Sequence, residues 1–295
     1  MPRVLAIRDL AVIPCSLRNE TRNAIRDFAA ALKTAAPSVG THGLDDKRFW
    51  DSGLFHGAIE RLRGQRAASM GPKREFLAEI LNLLKDAGRI KNWVIAGGSD
   101  RHDYEVVLPD DTVTAIEAKG CLDGNNTNIF QRPANADEFI IWSLCQNSGA
   151  DPRHNAWSGI HTRLSAEIMH KRQQVDGLVI WDMVCGTLGR ICPKLERSPE
   201  RATAVGRRSL PPPCIYLFPR TVPDARNNPK PRCWRLADVK FLKMLHETFK
   251  GDAEDVTEVR IEACMQGASV LRTTRLVRDG VEIIASQPTR LKRAT

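Results

Sequence analysis

Apolar positions over residues 72–87 recur at helical spacing, with Phe76, Leu77, Ile80, Leu81, Leu83 and Leu84 on one face. The pattern predicts a helix that opens at Pro72, where a missing N–H costs nothing, and stops at Gly88. Beyond Gly88 the period drops to two. Residues 90–96, 104–108 and 113–119 read as strands, and Pro109-Asp110-Asp111-Thr112 turns the last two into a hairpin. Residues 120–157, rich in Asn, Gly and Pro, read as a long insertion that contains an apolar run at 139–144. Helical spacing returns over 159–174 through Ile160, Leu164, Ile168 and Met169. Residues 175–184 then form the nearly unbroken apolar run that a strand covered on both faces requires.

On the N-terminal side, residues 1–16 read as an apolar lead-in. Ile25, Phe28, Ala29, Leu32 and Ala36 predict an amphipathic helix over 19–35, ended by Pro37. Residues 41–53 read as a polar loop and 54–62 as a short helix, and the basic stretch at Arg61, Arg63 and Arg66 reads as a solvated face, with a phosphate contact as the alternative. On the C-terminal side, residues 196–213 are basic and proline-rich and read as a loop or arm lying near nucleic acid. Residues 214–218, 256–261, 269–277 and 281–286 are β-rich, with Arg278-Asp279-Gly280 as a hairpin turn and a frayed tail from Arg290.

Composition adds bounds. The 295 residues suffice for one large domain or a core with a subdomain, and 42% hydrophobic content is ordinary for a globular chain. Forty-four Lys and Arg against 35 Asp and Glu give a formal charge of +9, which favours a polyanionic partner. No apolar run is long enough to span a membrane and no signal-peptide pattern opens the chain, so a cytoplasmic setting with reduced thiols is expected. Cys185, Cys192, Cys214 and Cys233 lack the close pairs of structural zinc sites and read as free thiols.

The chemistry concentrates at the hairpin. Side chains alternate along a strand, so Glu117 and Lys119 share a face while Ala118 takes the other. The antiparallel return through the turn brings Asp103 beside them. Two carboxylates and an ammonium at one corner of a sheet cost desolvation and repulsion unless a divalent cation lies between the acids.

Asp103, followed after a turn by Glu117-Ala118-Lys119, resembles the PD-(D/E)XK nuclease superfamily, and the chain's size resembles its type II restriction endonucleases. His102 stands where the motif's name has Pro. The resemblance spans residues 70–185, where the order helix, three strands, helix, strand agrees with that family's αβββαβ core. It implies an α/β (mixed α+β) fold with a mixed central sheet, an N-terminal helical region (1–70), a nuclease core (71–185) and a β-rich C-terminal subdomain (186–295). It further implies one or two Mg2+ ions held by Asp103, Glu117 and the Ala118 carbonyl, with Lys119 orienting the attacking water or stabilising the transition state. The preceding helix would lend an extra acid, Glu75, with Glu79 one turn along. The partner would be double-stranded DNA, cut by a homodimer, with Asn125, Asn128, Gln131, Arg132, Arg163 and Lys171 as candidate DNA contacts.

Asp45-Asp46-Lys47 and Asp238-Val239-Lys240 also satisfy the tripeptide, and Asp224 stands upstream of the latter. Four prolines within 219–231 bar a central strand there, and Phe241, Leu242, Leu245 and Phe249 continue at helical spacing, so Asp238 reads as a helix N-cap. No Walker A pattern occurs, which argues against built-in ATP-driven translocation. A repair or junction-resolving nuclease and a non-catalytic nucleic-acid-binding protein remain as alternatives.

Overall fold

A computed structural model describes residues 19–55, 57–59, 70–97, 102–119, 132–145, 163–183 and 192–291. Its helices are α1 (Asn19–Ala35), α2 (Asp46–Asp51), α3 (Met70–Asp86), α4 (Ser165–Lys171), α5 (Pro193–Arg197) and α6 (Lys240–Thr248). Its strands are β1 (Asn92–Ile95), β2 (Tyr104–Val107), β3 (Val113–Lys119), β4 (Glu138–Cys145), β5 (Gly177–Asp182), β6 (Thr203–Val205), β7 (Arg208–Leu210), β8 (Cys214–Leu217), β9 (Val256–Gln266), β10 (Ser269–Arg278), β11 (Val281–Ala285) and β12 (Thr289–Arg290).

A ten-stranded sheet in the order β1-β2-β3-β4-β5-β8-β9-β10-β11, with β12 beside β10, organises the chain. β1, β2 and β3 form an antiparallel meander, β3, β4 and β5 run parallel, and β8 returns antiparallel to β5. The fold is therefore mixed α/β around a mixed sheet. Alternation along the strands builds two apolar layers. Ile116, Ile140, Trp142, Val179 and Trp181 meet α3 and α6 on one face, while Ala115, Phe139, Ile141 and Leu178 meet α4 on the other. The first layer is aromatic at its centre: Trp142 and Trp181 stack at 6.0 Å, and Phe249 and Phe76 meet Trp181 edge-on.

Local signals produced the elements around the hairpin. α3 ends at Gly88, whose φ of +65° suits glycine, with Arg89 N–H donating back to the Leu84 carbonyl. The hairpin register pairs Tyr104 with Ile116 and Val107 with Val113, and Leu108 N–H closes the turn on the Thr112 carbonyl at 2.9 Å. Asp279 and Gly280, both at positive φ, turn β10 into β11 as expected.

Several expectations are corrected. The apolar run assigned to an insertion is β4, a central strand between β3 and β5, so the order after α3 is four strands, helix, strand. The C-terminal strands β8 to β12, expected in a β-rich subdomain packed on the core, pair into the central sheet itself. Residues 46–51, read as loop, form α2, because Asp45 accepts from Arg48 N–H at 2.9 Å and caps it. Residues 193–210 are an ordered segment, not an arm. There Arg201 binds Asp252 and Asp255, Arg208 binds Glu79, and Lys194 is buried against Asp255 at 2.6 Å. The tail at Arg290 pairs with Leu271 in β12. Finally, Asp238 does not cap α6 but is clasped by Arg235. Glu138 of β4 caps it instead, accepting from Lys240 N–H at 2.6 Å and Phe241 N–H at 3.1 Å. No described helix is long and apolar enough to cross a membrane.

Candidate active site

β3 carries Glu117 and Lys119 toward the α4 face near its C-terminal end, while Ala118 packs among the aromatic layer on the other. Lys119 Nζ donates to Glu117 Oε1, which fixes both side chains side by side. Asp103, one step before β2, completes the corner. Its N–H donates to the Ile116 carbonyl at 3.0 Å, extending the hairpin ladder, and its Oδ2 accepts from Ala118 N–H at 2.8 Å. Asp103 thereby holds the tripeptide's backbone while remaining partly exposed.

Glu117 is the strained member. It is only 5% exposed, and burial lifts its pKa to about 7, Lys119 opposing the rise and the charge of Asp103 adding to it. A carboxylate in such a position lacks enough positive charge around it. Asp103, Glu117 and the backbone of Ala118 are hard oxygen donors of the kind that bind Mg2+, which takes one or two protein carboxylates and completes its shell with water and phosphate. The donor set therefore fits that ion. Among the described residues no group of three or more His, Cys, Asp and Glu side chains is placed to hold a metal.

Three further residues brace the corner. His102 is buried and its Nε2 donates to Glu105 Oε1 at 3.0 Å, a carboxylate that Asn135 also reaches at 3.2 Å. His102 Nδ1 has no partner among the described residues. Glu105 shares a strand face with Asp103 and could be suspected from alternation, but nothing local marks Asn135, which arrives from the loop before β4.

The remaining expected residues separate. Glu75 is exposed on α3, in the layer opposite Glu117, and no hydrogen bond or ion pair joins it to Asp103 or Glu117. Glu79 is committed to Arg208. Arg132 grips both oxygens of the buried Asp176, which also accepts from Phe139 N–H at 2.7 Å, so its guanidinium ties β4 to β5 and is not free for a base. Lys171 pairs with Glu167 one turn back at 2.8 Å, and Arg163 sits partly buried just before α4. Asn125, Asn128 and Gln131, together with Cys185 and Arg61, Arg63 and Arg66, lie outside the described residues. Cys192 and Cys214 are buried thiols outside any disulfide, and Cys233 donates to the Val259 carbonyl while burial pushes its thiol to about 12.

A cleft of about 430 Å3 opens at the other end of the parallel strands, lined by acids that include Asp110, Asp137, Glu138, Asp176 and Asp238. These carboxylates are already occupied: Asp110 binds Lys240, Asp137 accepts from Val113 N–H, and the others serve the contacts described above. The cleft is part of the scaffold. Comparison with protein-family models, with curated proteins and with solved structures finds no match.

Proposed function

We propose that this protein is a Mg2+-dependent endonuclease that hydrolyses phosphodiester bonds of double-stranded DNA, in the manner of the type II restriction enzymes it resembles. One observation carries the reading: a buried, under-compensated Glu117 beside Lys119, with Asp103 closing the same corner. Asp103, Glu117 and the Ala118 carbonyl are the ligands for one or two Mg2+ ions. Bound there, the ion supplies Lewis acidity toward the phosphate and toward water. Lys119 holds the attacking water or the charge that develops on the phosphoryl oxygens. Glu117 aims that ammonium through its ion pair, and the Asp103 bond to Ala118 N–H keeps the tripeptide in register with the hairpin. His102 and Glu105 brace the turn from which Asp103 projects. A homodimer about a twofold axis would cut both strands of a symmetric site.

Plasmid DNA incubated with Mg2+ should give discrete fragments whose sequenced ends share one motif, and EDTA should abolish them. Lys119→Ala and Glu117→Ala proteins should bind DNA without cutting it. Wild-type cleavage by Lys119→Ala protein would overturn the site. Preference for branched DNA without defined fragments would point to the junction-resolving alternative.

A further inference from the structure

At the end of the sheet away from the candidate corner, residues 219–235 between β8 and α6 form an exposed and strongly basic loop. Residues 220–235 hold Arg220, Arg226, Lys230, Arg232 and Arg235 against a single acid, Asp224. The loop is stapled at every level. Asp224 and Asn228 exchange backbone hydrogen bonds at 2.9 and 3.0 Å, and Asp224 Oδ1 takes up the N–H groups of Arg226 and Asn227. Arg220 N–H bonds the Arg232 carbonyl, Pro229 accepts from Ala263 of β9, and the Arg220 guanidinium stacks over Trp234 at 4.5 Å. Val222 and Ala225 pack into the apolar layer that contains α4.

Two of the loop's cations have local partners: Arg235 binds Asp238, and Lys230 lies 3.5 Å from Glu262. Arg226 and Arg232, and Arg172 at the C-cap of α4, are exposed and make no ion pair with any described residue. Gln174 Nε2, two residues past the C-cap of α4, donates to the Arg220 carbonyl, which places the α4 terminus beside the loop. The only carboxylate among them is spent on its own turn, so the patch presents uncompensated positive charge on a framework that needs no ordering to bind.

We propose that this loop and the C-terminal turn of α4 form a second contact surface for the phosphate backbone of double-helical DNA, reached by the same duplex that enters the Glu117 corner. The proposal rests on the endonuclease reading for the identity of the polyanion. Lys119 pairs with Ser143, Ser143 with Ile180 and Gly177 with Leu217, so the corner lies three strands and three residues from the end of β8, where the loop begins. At about 4.8 Å per strand and 3.3 Å per residue that separation is about 17 Å, the rise of about five base pairs. One duplex is long enough to reach from the corner to the loop.

The test reads binding without cleavage: a short DNA duplex and the full-length protein, with Ca2+ in place of Mg2+, followed by anisotropy across a salt series. In the Arg172→Ala/Arg226→Ala/Arg232→Ala protein, the slope of log affinity against log salt should fall by about 3, with the thermal melt unchanged. The corresponding triple Lys variant should keep the wild-type slope, because phosphate asks only for charge. Should the triple Ala variant melt early, Arg226→Glu at the exposed tip gives the same readout. Unchanged affinity and slope would overturn the proposal, as would loss of binding to polyglutamate with DNA binding intact. A lost slope in a protein that never cuts DNA would sustain the loop while refuting the nuclease reading; site-specific cutting with an unchanged slope would do the reverse.

Discussion

Replacing Glu117 by Gln tests the electrostatics of the corner through the stability of the fold. Burial holds the folded-state pKa at about 7 against an ordinary value of 4.5, a difference worth about 3 kcal/mol. Between those values the folded state keeps the proton that the unfolded chain has released. Stability therefore falls as pH rises through that window, and above pH 7 the full cost is present. Glutamine carries no such cost, and the attraction of Lys119 is already contained in the raised value. Glu117→Gln protein should thus be more stable than wild type by about 3 kcal/mol at pH 8 and by no more than about 1 kcal/mol at pH 5. Urea unfolding at a series of pH values in EDTA measures this. An equal difference at pH 5 and pH 8, or a less stable variant at pH 8, would refute the reasoning. On the proposed function, saturating Mg2+ should stabilise the wild type at pH 8 and leave the variant unchanged.

Two further outcomes follow from buried charge elsewhere. Glu138→Ala removes the cap of α6 and leaves Thr114 without its partner. It should cost about 2–4 kcal/mol in urea unfolding and expose the Lys240 and Phe241 amides to early hydrogen exchange. Asp255→Asn strips the counter-charge from the buried Lys194 and leaves Arg201 with Asp252 alone. It should cost about 3–5 kcal/mol, part of which Lys194→Met in the same chain should restore.

What the sequence determined by itself is what short range decides. Helix α3, its stop at Gly88, the hairpin with Glu117 and Lys119 on one face, and the Asp279-Gly280 turn all follow from periodicity and backbone preference within about one turn of chain. Tertiary structure decided the rest, for one recurring reason: the partner lies far away in sequence. Residues 139–144 become a central strand only because β3 and β5 flank them, and no local pattern separates such a run from an apolar stretch in a loop. Asp238 looks like the cap of α6, but Glu138, 102 residues away, supplies it. Arg132 looks like a DNA contact until Asp176 is folded beneath it. The β-rich C-terminal region reads as a subdomain because nothing local shows that β8 will pair with β5 and draw the following strands into the same sheet. The corner of Asp103, Glu117 and Lys119 stands between the two cases. Its residues were legible in a hairpin, whereas the burial that leaves Glu117 under-compensated comes from layers assembled along the whole chain.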